Sequence, residues 1–530
     1  MPTEGELIAN RLAKREQLLE RGGGYPARTI GQDTCQEALS RFESSEAEPA
    51  APGAGAEPRA AVSGRVTGQR VLGRAAFLDL RDGSGTLQLF LGRDALPGEQ
   101  YALLELLDVG DFVEAEGALF RTRSGEVTLR VESWGILVKA LRPLPEKWAG
   151  LTDPETRYRE RHLDLVANER SREVARLAAA TVSSVRRFFE ERDFLEVATP
   201  VLQEQAGGAA ARPFRTYHNA LDRELSLRIS TELHLKRLLV GGFDRVFEIG
   251  RVFRNEGLSH RHNPEFLLLE SYEAYRDYEH VAGMVEALVR RVALDVRGTL
   301  TIPHGDVVVD LESAWARTTY REALSEHAGI QLTPSWALEG ADGRQDAAVA
   351  GDGASRERDA LAAVASERGV PIAPGASRAS ILDALMQRLV EPRLVQPTFV
   401  FDYPTELSPL AKAREGDPAT VERFELFILG YEFANAYSEL NDPVEQRARM
   451  EEQARKRSSG DEEVEVADEA FLHAVEAGMP PAGGLGMGLE RLMMLMTGEH
   501  SIREVVLFPA LRERERPGAA EPAAGADGGS

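Results

Sequence analysis

The chain has 530 residues, a formal net charge of −23 at pH 7 and 43% hydrophobic residues. This length exceeds what one ordinary hydrophobic core supports, so a globular protein of two or more domains is expected. The single cysteine, Cys35, excludes an intrachain disulfide framework and a zinc site built from cysteines, which favours a reducing compartment. The net charge argues against non-specific nucleic-acid binding, although residues 157–192 are rich in arginine and make the charge uneven.

The beginning of the chain predicts a helical extension. Residues 4–22 place leucines at helical spacing between Arg and Lys. This pattern predicts an amphipathic helix that packs on its own protein, with contact to a nucleic-acid backbone as the alternative. Residues 43–60 are rich in Ala, Pro, Gly and Glu, so residues 1–60 are expected to end in a flexible linker. The sequence shows no apolar signal core and no run long enough to span a membrane, so we expect a cytoplasmic protein with no membrane partner.

Residues 61–143 change to short strands of alternating polarity, with a helical piece after the third strand. Five strands in this order are typical of an OB-fold β-barrel. The alternation turns Leu78 and Leu80 inward and Phe77 outward. The polar positions expected on the same outer face are those of Gln88, Glu126, Thr128 and Arg130. An outward aromatic ring among polar groups favours a base-stacking surface, and a lone exposed aromatic residue is the alternative.

Residues 244–254 and 265–275 are rich in aromatic and β-branched residues and predict the two strands of a long hairpin. Because side chains alternate along a strand, Arg254 and Glu256 are expected on one face, and Phe266, Glu270 and Tyr272 also share a face. Such a set suits an adenine ring over the phenylalanine, a phosphate against the arginine and an ammonium group near the second glutamate. A half-buried sheet with a salt-bridged edge remains the alternative for the hairpin alone.

The remaining pattern predicts a mixed helical and β domain. Residues 172–193 predict a long helix, and FLEVATPVL predicts a strand that ends at Pro200. Residues 340–380 are rich in Ala, Gly and Asp and predict an insertion, to which no role is assigned. Strands near 397–403 and 422–440 precede a charged helix, and residues 514–530 predict a disordered tail.

Three stretches carry a resemblance to a known family: RRFFEERDFLEVATPV with Pro200, FEIGRVFRNEG with RHNPEF, and GLGMGLERLMML. With GGAAARPF, TELHLKRLLVGGFDRVFEI, NAYSELNDP and KALRPLPEK, they make the chain resemble a bacterial-type class II lysyl-tRNA synthetase from about residue 5 to residue 513. The resemblance implies an α+β multidomain protein, with an OB-fold anticodon-binding barrel at 61–143 and a class II catalytic domain at 144–513. It implies a six-stranded antiparallel sheet flanked by helices in the second domain. It also implies a homodimer that forms through the first stretch and Pro200.

The resemblance also implies a site. Arg254 and Arg491 are the implied catalytic residues, on the α-phosphate and near the γ-phosphate of ATP. The other implied ATP-binding residues are Glu256, His262, Asn263 and Phe266. The implied Mg²⁺ ligands are Glu425 and Glu432. The implied lysine pocket consists of Gly208, Glu232, Glu270, Tyr272, Asn435, Tyr437 and Glu439. The implied contacts with the tRNA anticodon are Arg70, Phe77, Gln88 and Glu126.

Elementary chemistry agrees with these roles. Mg²⁺ binds carboxylate oxygens and keeps phosphate and water as its other ligands. Glu425 and Glu432 have opposite strand parity, and Gly430 between them allows a bend that turns both toward one ATP. A surface carboxylate is the alternative for each. The glutamates of the pocket lie among apolar residues, where a carboxylate is rare unless paired, so a dicationic partner such as free lysine explains their number.

The expected reaction joins lysine to the 3′ end of tRNA(Lys) through lysyl-adenylate, with release of pyrophosphate from ATP. Aspartyl- and asparaginyl-tRNA synthetases share the architecture, but an aspartyl pocket requires cationic residues. An elongation-factor lysine ligase lacks the barrel and differs near the third stretch, where this chain keeps Gly486. A non-catalytic tRNA-binding relative predicts loss of at least one of four residues that this chain retains: Arg254, Glu425, Glu432 and Arg491.

Overall fold

The computed structural model describes residues 2–47, 57–145, 151–209, 211–339, 353–458 and 468–512. The chain divides into two compact units, Met1–Asp153 and Pro154–Ser530. Within the described residues, no helix is both long and apolar enough to cross a bilayer. The expected tail at 514–530 lies outside the described residues, as do residues 48–56 of the expected linker and 340–352 of the expected insertion.

The first unit is a closed five-stranded barrel with two α-helices before the first strand and one after the third. Its helices are α1 Glu4–Glu20, α2 Cys35–Ala47 and α3 Gly98–Ala102. Its strands are β1 Arg59–Leu72, β2 Ala75–Arg81, β3 Thr86–Gly92, β4 Phe112–Arg121 and β5 Val127–Val138. The strands follow each other around the barrel in the order β1-β2-β3-β5-β4. Five strands with a helix after the third confirm the predicted OB-fold.

Alternating residues of these strands fill the barrel. Leu78 and Leu80, which were expected to point inward, are fully buried. The N-terminal helix α1 adds Leu18 to the same core. Arg11 of α1 donates hydrogen bonds from its guanidinium to the backbone oxygens of Val109 and Ala140. The helix therefore packs on its own unit, as the favoured interpretation of residues 4–22 required.

The second unit contains a nine-stranded sheet, a three-stranded sheet and a two-stranded sheet. Its helices are α4 Pro154–Arg159, α5 Arg161–Ala167, α6 Glu169–Glu190, α7 Glu232–Val240, α8 Tyr278–Arg297, α9 Tyr320–Ala328, α10 Gly353–Glu367, α11 Arg378–Leu385, α12 Pro443–Ser458, α13 Glu469–Glu476, α14 Leu489–Thr497 and α15 Ile502–Val505. Its strands are β6 Leu195–Glu196, β7 Leu202–Gln203, β8 Arg215–His218, β9 Arg223–Leu227, β10 Arg245–Phe253, β11 Glu265–Ala274, β12 Thr301–His304, β13 Val307–Asp310, β14 Ala316–Thr319, β15 Thr398–Pro404, β16 Ala413–Arg414, β17 Asp417–Ile428, β18 Tyr431–Ser438 and β19 Ala482–Gly488.

The centre of the large sheet confirms the expected six antiparallel strands, in the order β15-β17-β18-β19-β11-β10. One strand is added at each edge, because β14 pairs parallel with β15 and β6 pairs parallel with β10. The short strand β16 pairs with β17. Helices α6, α8 and α14 share one hydrophobic core with the sheet, which includes Phe188, Leu288, Phe424, Leu485 and Leu492. The sheet is therefore a rigid support that brings together side chains from four strands that are distant in the sequence.

One expectation about the second unit needs correction. FLEVATPVL does not form one strand, because β6 ends at Glu196 and β7 starts only at Leu202. Proline lacks the N–H that a strand ladder needs at Pro200. Thr199 also donates its hydroxyl to Glu248 instead of continuing a strand. The described part of the insertion is a packed structure, since Leu361 and other residues of α10 share a core with α9 and α11.

Candidate active site

The predicted hairpin is confirmed, because β10 and β11 pair without interruption from Arg245 opposite Glu273 to Phe253 opposite Glu265. Strand β11 also pairs with β19, which places the hairpin inside the sheet. The ladder ends at Phe253, so the expectation that strand parity places Arg254 and Glu256 on one face is wrong. Both residues belong to the loop at 254–264 instead.

Arg254 closes that loop and contacts the predicted adenine platform. Its backbone N–H donates to the backbone oxygen of Pro264 over 2.8 Å. Its guanidinium carbon lies 5.1 Å from the centre of the Phe266 ring, and its Nε donates to the backbone oxygen of Ile229 over 3.3 Å. Burial lowers the pKa of Arg254 below its usual value, although nearby glutamates oppose the shift. A guanidinium carries five N–H donors, so this arginine has donors to offer a phosphate or carboxylate.

The remaining predicted nucleotide residues differ in accessibility. Glu256 and His262 are exposed on the loop. Partial desolvation of the imidazole ring, followed by the charge of Arg491, lowers the pKa of His262. Asn263 is buried, its Nδ2 donates to the backbone oxygen of Glu265 over 2.7 Å, and its Oδ1 accepts from the N–H of Ala510 over 3.3 Å. One N–H of the amide and one lone pair of its oxygen remain for a further partner.

The two predicted metal carboxylates share a face of the sheet because of a β-bulge. Glu425 pairs with Asn435, but the register then shifts and Phe427 pairs with Glu432. Glu425 and Phe427 are two residues apart on β17 and share a face, and a residue opposite Phe427 joins that face. The register shift therefore aligns the carboxylates, and the expected bend at Gly430 is not the cause. Gly430 adopts the left-handed conformation, with a φ of 73°, and makes the turn between the strands.

Each of these carboxylates is held by the protein. Glu425 accepts a hydrogen bond from the Tyr403 hydroxyl over 2.9 Å and pairs with Arg423. Glu432 Oε2 lies 3.2 Å from Nη1 of Arg491, which also donates to the backbone oxygen of Glu432. Arg491 extends from the first turn of α14, so the third family stretch contacts Glu432, one of the two predicted metal ligands.

Two further acids, which no sequence pattern indicated, influence this pair electrostatically. Burial, with smaller contributions from Glu425 and Glu432, raises the pKa of Glu391 to about 8. Burial also raises the pKa of Asp383. Glu391 follows directly after a π-helical turn at Met386–Val390, a type of distortion that is frequent at functional sites. Both acids lie at the end of the helical segment that begins in the expected insertion.

The donor set fits a magnesium ion that is bound mainly through a substrate. Burial and the charge of Glu432 raise the pKa of Glu425 to about 7, against the opposing charge of Arg423. A nearby dication would favour the ionised form. Within the described residues, no group of three or more His, Cys, Asp or Glu side chains could hold a metal. Two carboxylates that leave the other positions to phosphate oxygens and water are what Mg²⁺ commonly takes.

The predicted lysine pocket is a network of buried polar groups at the start of α7 and on the neighbouring strands. The Tyr437 hydroxyl donates to Glu232 Oε1 over 2.7 Å. Glu270 Oε1 accepts from the Ser230 hydroxyl over 2.6 Å. The Tyr272 hydroxyl donates to Glu270 Oε2 over 3.4 Å. All three predicted glutamates of the pocket, Glu232, Glu270 and Glu439, are buried.

Glycines shape this pocket at two close approaches. Gly208 has a φ of 82°, and a Cβ there would lie 3.0 Å from both Glu232 Cβ and Ser230 Oγ. A Cβ on Gly484 would collide with the Glu439 carboxylate and come within 2.7 Å of the Tyr272 ring. A side chain at either position would therefore fill space that the pocket uses.

One predicted pocket residue belongs to the boundary with the metal carboxylates. Asn435 Oδ1 accepts from Arg423 Nε over 3.0 Å, and the same guanidinium pairs with Glu425. The Nη1 atom of Arg423 donates to the Ser408 hydroxyl over 2.7 Å. A single arginine thus positions both the predicted metal ligand and the predicted lysine-pocket amide.

A lysine of the protein itself, which was not among the predicted site residues, lies inside the pocket. The Lys236 side chain is completely buried, and its Nζ lies 2.5 Å from Glu232 Oε1 and in contact with Glu439 Oε2. The rings of Tyr272 and Tyr437 surround the ammonium at 6.0 and 5.4 Å. The expectation that a bound ligand supplies all the positive charge for the three glutamates is therefore wrong in part, because Lys236 already pairs with Glu232 and Glu439. The helical i, i+4 spacing of Glu232 and Lys236 was the available signal.

Buried carboxylates in this network hold their protons more tightly than exposed ones. Burial, followed by the charge of Glu232, raises the pKa of Glu270 to about 7. Burial also raises the pKa of Glu439 well above its usual value, although Lys236 opposes the shift. The pocket without a ligand is thus short of positive charge, and a cation that enters it would be strongly favoured.

The barrel of the first unit carries the predicted anticodon face. The rings of Phe77 and Phe90 lie 5.2 Å apart, and Phe120 follows 6.1 Å from Phe90. These three half-buried rings form a row, of which only Phe77 was predicted. The outward alternation of β3 already indicated Phe90, because it lies two residues after Gln88.

The polar groups around this row are less exposed than expected. Gln88 and Thr128 are buried, because the Gln88 amide bridges Glu126 over 2.7 Å and the Thr128 hydroxyl over 3.0 Å. The expected outward position of Thr128 is therefore covered, although its face is the predicted one. Arg70 and Glu126 are exposed, and Arg70 Nη2 lies 3.4 Å from Asp79.

The sequences of both units match known protein families. Residues 153–512 match the family described as tRNA synthetases class II (D, K and N), and residues 60–137 match the OB-fold nucleic acid binding domain. A lysine–tRNA ligase of Dehalococcoides mccartyi is 46% identical over 98% of this chain and 100% of its own length. Lysine–tRNA ligases of Synechococcus sp. and Pelotomaculum thermopropionicum are 46% and 44% identical, each over 96% of this chain. The chain belongs to the lysine–tRNA ligases of the class II tRNA synthetase family.

Proposed function

We propose that this chain activates L-lysine with ATP to form lysyl-adenylate and pyrophosphate, and then transfers the lysyl group to the 3′ end of tRNA(Lys) in the cytoplasm. The observation that carries the proposal is the buried acidic pocket of Glu232, Glu270 and Glu439. Glu270 lies on β11, the same strand as the Phe266 platform that Arg254 contacts. Such a pocket has the wrong charge for an aspartate side chain. Membership of the lysine–tRNA ligases supports the same substrate.

In the first step the lysine carboxylate attacks the α-phosphorus in line, and pyrophosphate leaves. Negative charge builds on the α-phosphate oxygens, and the guanidinium of Arg254 stabilises it while also orienting the carboxylate. Phe266 supports the adenine ring, with Glu256, His262 and Asn263 around the nucleotide, and Arg491 lies on its other side near the γ-phosphate. Positioning and electrostatics supply the acceleration, and no side chain has to act as a general base.

Glu425 and Glu432 would hold Mg²⁺, which supplies neutralisation of phosphate charge when bound. The support is their common face on the sheet and the elevated pKa of Glu425, which a nearby cation would relieve. Arg423 and Tyr403 orient Glu425, and Arg491 orients Glu432. These contacts fix the carboxylates before any substrate arrives.

The lysine substrate would be bound by the network around Lys236, with Gly208 and Asn435 at its borders and the hydroxyls of Tyr272 and Tyr437 within it. The second step requires the 3′-terminal hydroxyl of tRNA to attack the mixed anhydride. The anticodon would stack on Phe77, with Arg70, Gln88 and Glu126 beside it. The row of three aromatic rings supports this role, because stacking of bases on aromatic side chains is the common mode of single-strand recognition.

We also propose a homodimer that forms through the end of α6 and the segment around Pro200. Large apolar side chains are exposed there, with Leu195, Val201 and Leu202 each 40–48% accessible. Clustered exposed apolar groups are typical of interaction surfaces. Analytical ultracentrifugation of the full chain tests the proposal, and a monomer at micromolar concentration would contradict it.

The deciding experiment for the reaction is ATP–pyrophosphate exchange with each of the twenty amino acids, followed by charging of tRNA(Lys). We expect exchange with lysine alone and transfer to tRNA(Lys). Exchange that depends on aspartate or asparagine instead would contradict the proposal, and binding of tRNA with no exchange for any amino acid would indicate a non-catalytic role.

A further inference from the structure

We propose that Lys236 is a positioning residue of the lysine pocket, whose buried ammonium joins Glu232 to Glu439 and sets the pocket charge that selects a dicationic amino acid. This inference rests on the proposed function, because it assumes that free lysine occupies the pocket. Lys236 acts through the two glutamates and is not assigned a contact with the reacting atoms.

Lys236 contacts one oxygen of each of two carboxylates. Its Nζ approaches Glu232 at Oε1, the same oxygen that accepts the Tyr437 hydroxyl at 2.7 Å. Both donors use one oxygen, so Glu232 Oε2 keeps its capacity to accept from a ligand. Lys236 contacts Glu439 through Oε2, while Oε1 of Glu439 is buried and accepts no hydrogen bond from the described residues. Each glutamate is thus anchored by one oxygen.

An anchored but unsatisfied carboxylate oxygen is costly in a folded protein. A buried polar atom without a partner loses the hydration that it has in the unfolded chain. Glu439 Oε1 lies against Gly484. Because glycine has no side chain, the carboxylate has room there, and any side chain at this position would occupy that room. A ligand that donates from a positive group would satisfy this oxygen. The pocket is therefore organised before the ligand enters, with Lys236 as the group that fixes the positions of both acids.

The sum of the charges in the pocket also indicates that Lys236 matches the pocket to free lysine. The charged groups around the pocket are the glutamates Glu232, Glu270 and Glu439 and the cations Lys236 and Arg254. A cation in the pocket favours the ionised carboxylates, and with all five groups ionised three negative and two positive charges leave one negative charge. Free lysine has two ammonium groups and one carboxylate, so it brings one positive charge and makes the sum zero. Without Lys236, lysine would leave one buried negative charge unpaired.

A purely structural role explains these contacts less well. Replacing a buried ion pair by apolar residues is often neutral or stabilising, so stability alone does not require a lysine there. Aromatic rings of Tyr272, Tyr437 and Phe471 lie 5.4–6.0 Å from Nζ and would pack equally well around a methionine. A methionine lacks the positive charge of the Lys236 ammonium.

The test replaces Lys236 by methionine and measures ATP–pyrophosphate exchange in the full chain. We expect the KM for lysine to rise about a hundredfold, because one partner of a buried charged network is removed. The kcat and the KM for ATP should change by no more than about twofold, since Arg254 and the metal carboxylates are untouched. Lys236→Arg keeps the charge and should have a KM for lysine nearer to wild type than the methionine variant.

The matched control is Arg161→Met, which removes a buried cation from an ion pair with Asp164 at 2.7 Å in the same unit. This variant should unfold at a lower temperature and keep its KM for lysine. An unchanged KM in Lys236→Met, or an equal loss in kcat and in both KM values, would overturn the proposal. Should the methionine variant not fold, Lys236→Gln provides the same comparison, with the same KM rise expected and an unchanged KM overturning the proposal. Absence of lysine-dependent exchange in the wild-type protein would instead contradict the proposed function.

Discussion

The proposed lysine pocket and the proposed nucleotide site are organised in different ways. In the lysine pocket, Glu232, Glu270 and Lys236 are buried and bind one another or neighbouring hydroxyls. At the nucleotide end, Glu256 and His262 are exposed on a loop that follows the last residue of β10. The pocket is therefore preorganised by the protein, whereas the loop can adjust its side chains around a bound nucleotide.

This difference has a physical reason. Selection of an amino acid against similar ones depends on buried groups that stay unpaired if the wrong ligand binds. A nucleotide offers phosphates and a wide aromatic ring, so partly exposed cations and one platform suffice to hold it. We therefore expect substitutions at the nucleotide end to lower kcat and substitutions in the pocket to raise the KM for lysine.

The largest effect is expected from Arg254→Ala, which removes the cation next to the proposed reacting phosphate. The exchange rate should fall about a thousandfold, since preorganised charge at the transition state contributes several kcal/mol. Steady-state ATP–pyrophosphate exchange measures it, with circular dichroism as a check that the fold survives. Arg251→Ala serves as the control and should retain full activity, because Arg251 is an exposed arginine of β10 three residues before Arg254. Near-wild-type exchange in Arg254→Ala would remove this residue from the chemistry.

A smaller and differently distributed effect is expected from Glu439→Gln in the pocket. The KM for lysine should rise about a hundredfold with kcat changed little, because a buried acceptor for an ammonium group is lost. Glu273→Gln is the matched control, since Glu273 is also buried but pairs with Arg245 instead of the pocket. A fall in kcat without a change in KM would contradict the division between the two regions.

The pH dependence of lysine recognition should show the same division. The pKa of Glu270 is about 7 in the free protein, so this carboxyl takes up a proton as the pH falls below 7. An ammonium ligand binds the ionised form, so the proton must leave, and the KM for lysine should rise up to about tenfold per pH unit below 7.

Other groups near Glu270 define the control for this measurement. Glu232, Lys236 and Arg254 face the same pocket, so the comparison is made with Glu270→Gln, whose KM should be higher and lose most of this pH dependence. Glu425 titrates in the same range, and for this reason the KM for ATP is measured in parallel. A KM for lysine that is constant from pH 8 to pH 6 would show that Glu270 does not bind the substrate in its ionised form.

The sequence predicted those parts of the molecule in which local pattern decides the structure. Alternation placed Leu78 and Leu80 in the barrel correctly, because a strand has only two faces. It could not show that Thr128 is covered, since a neighbouring glutamine side chain lies over it. The same limit applies to the candidate site. The register shift that aligns Glu432 with its partner has no local signature, and Lys236 meets Glu439 only through the tertiary fold.

The smallest effect is expected from a substitution on the barrel. Its aromatic row is proposed to bind tRNA and no small substrate. Phe77→Ala removes the predicted member of the aromatic row, and the KM for tRNA should rise about tenfold, because stacking of one base contributes about 1–3 kcal/mol. Exchange without tRNA should stay unchanged, since the pocket and the nucleotide end lie in the other unit. Leu72→Ala is the control, because Leu72 is an exposed apolar residue of the same barrel that is 66% accessible. Equal losses in charging and exchange would show that Phe77 supports the fold and does not bind tRNA.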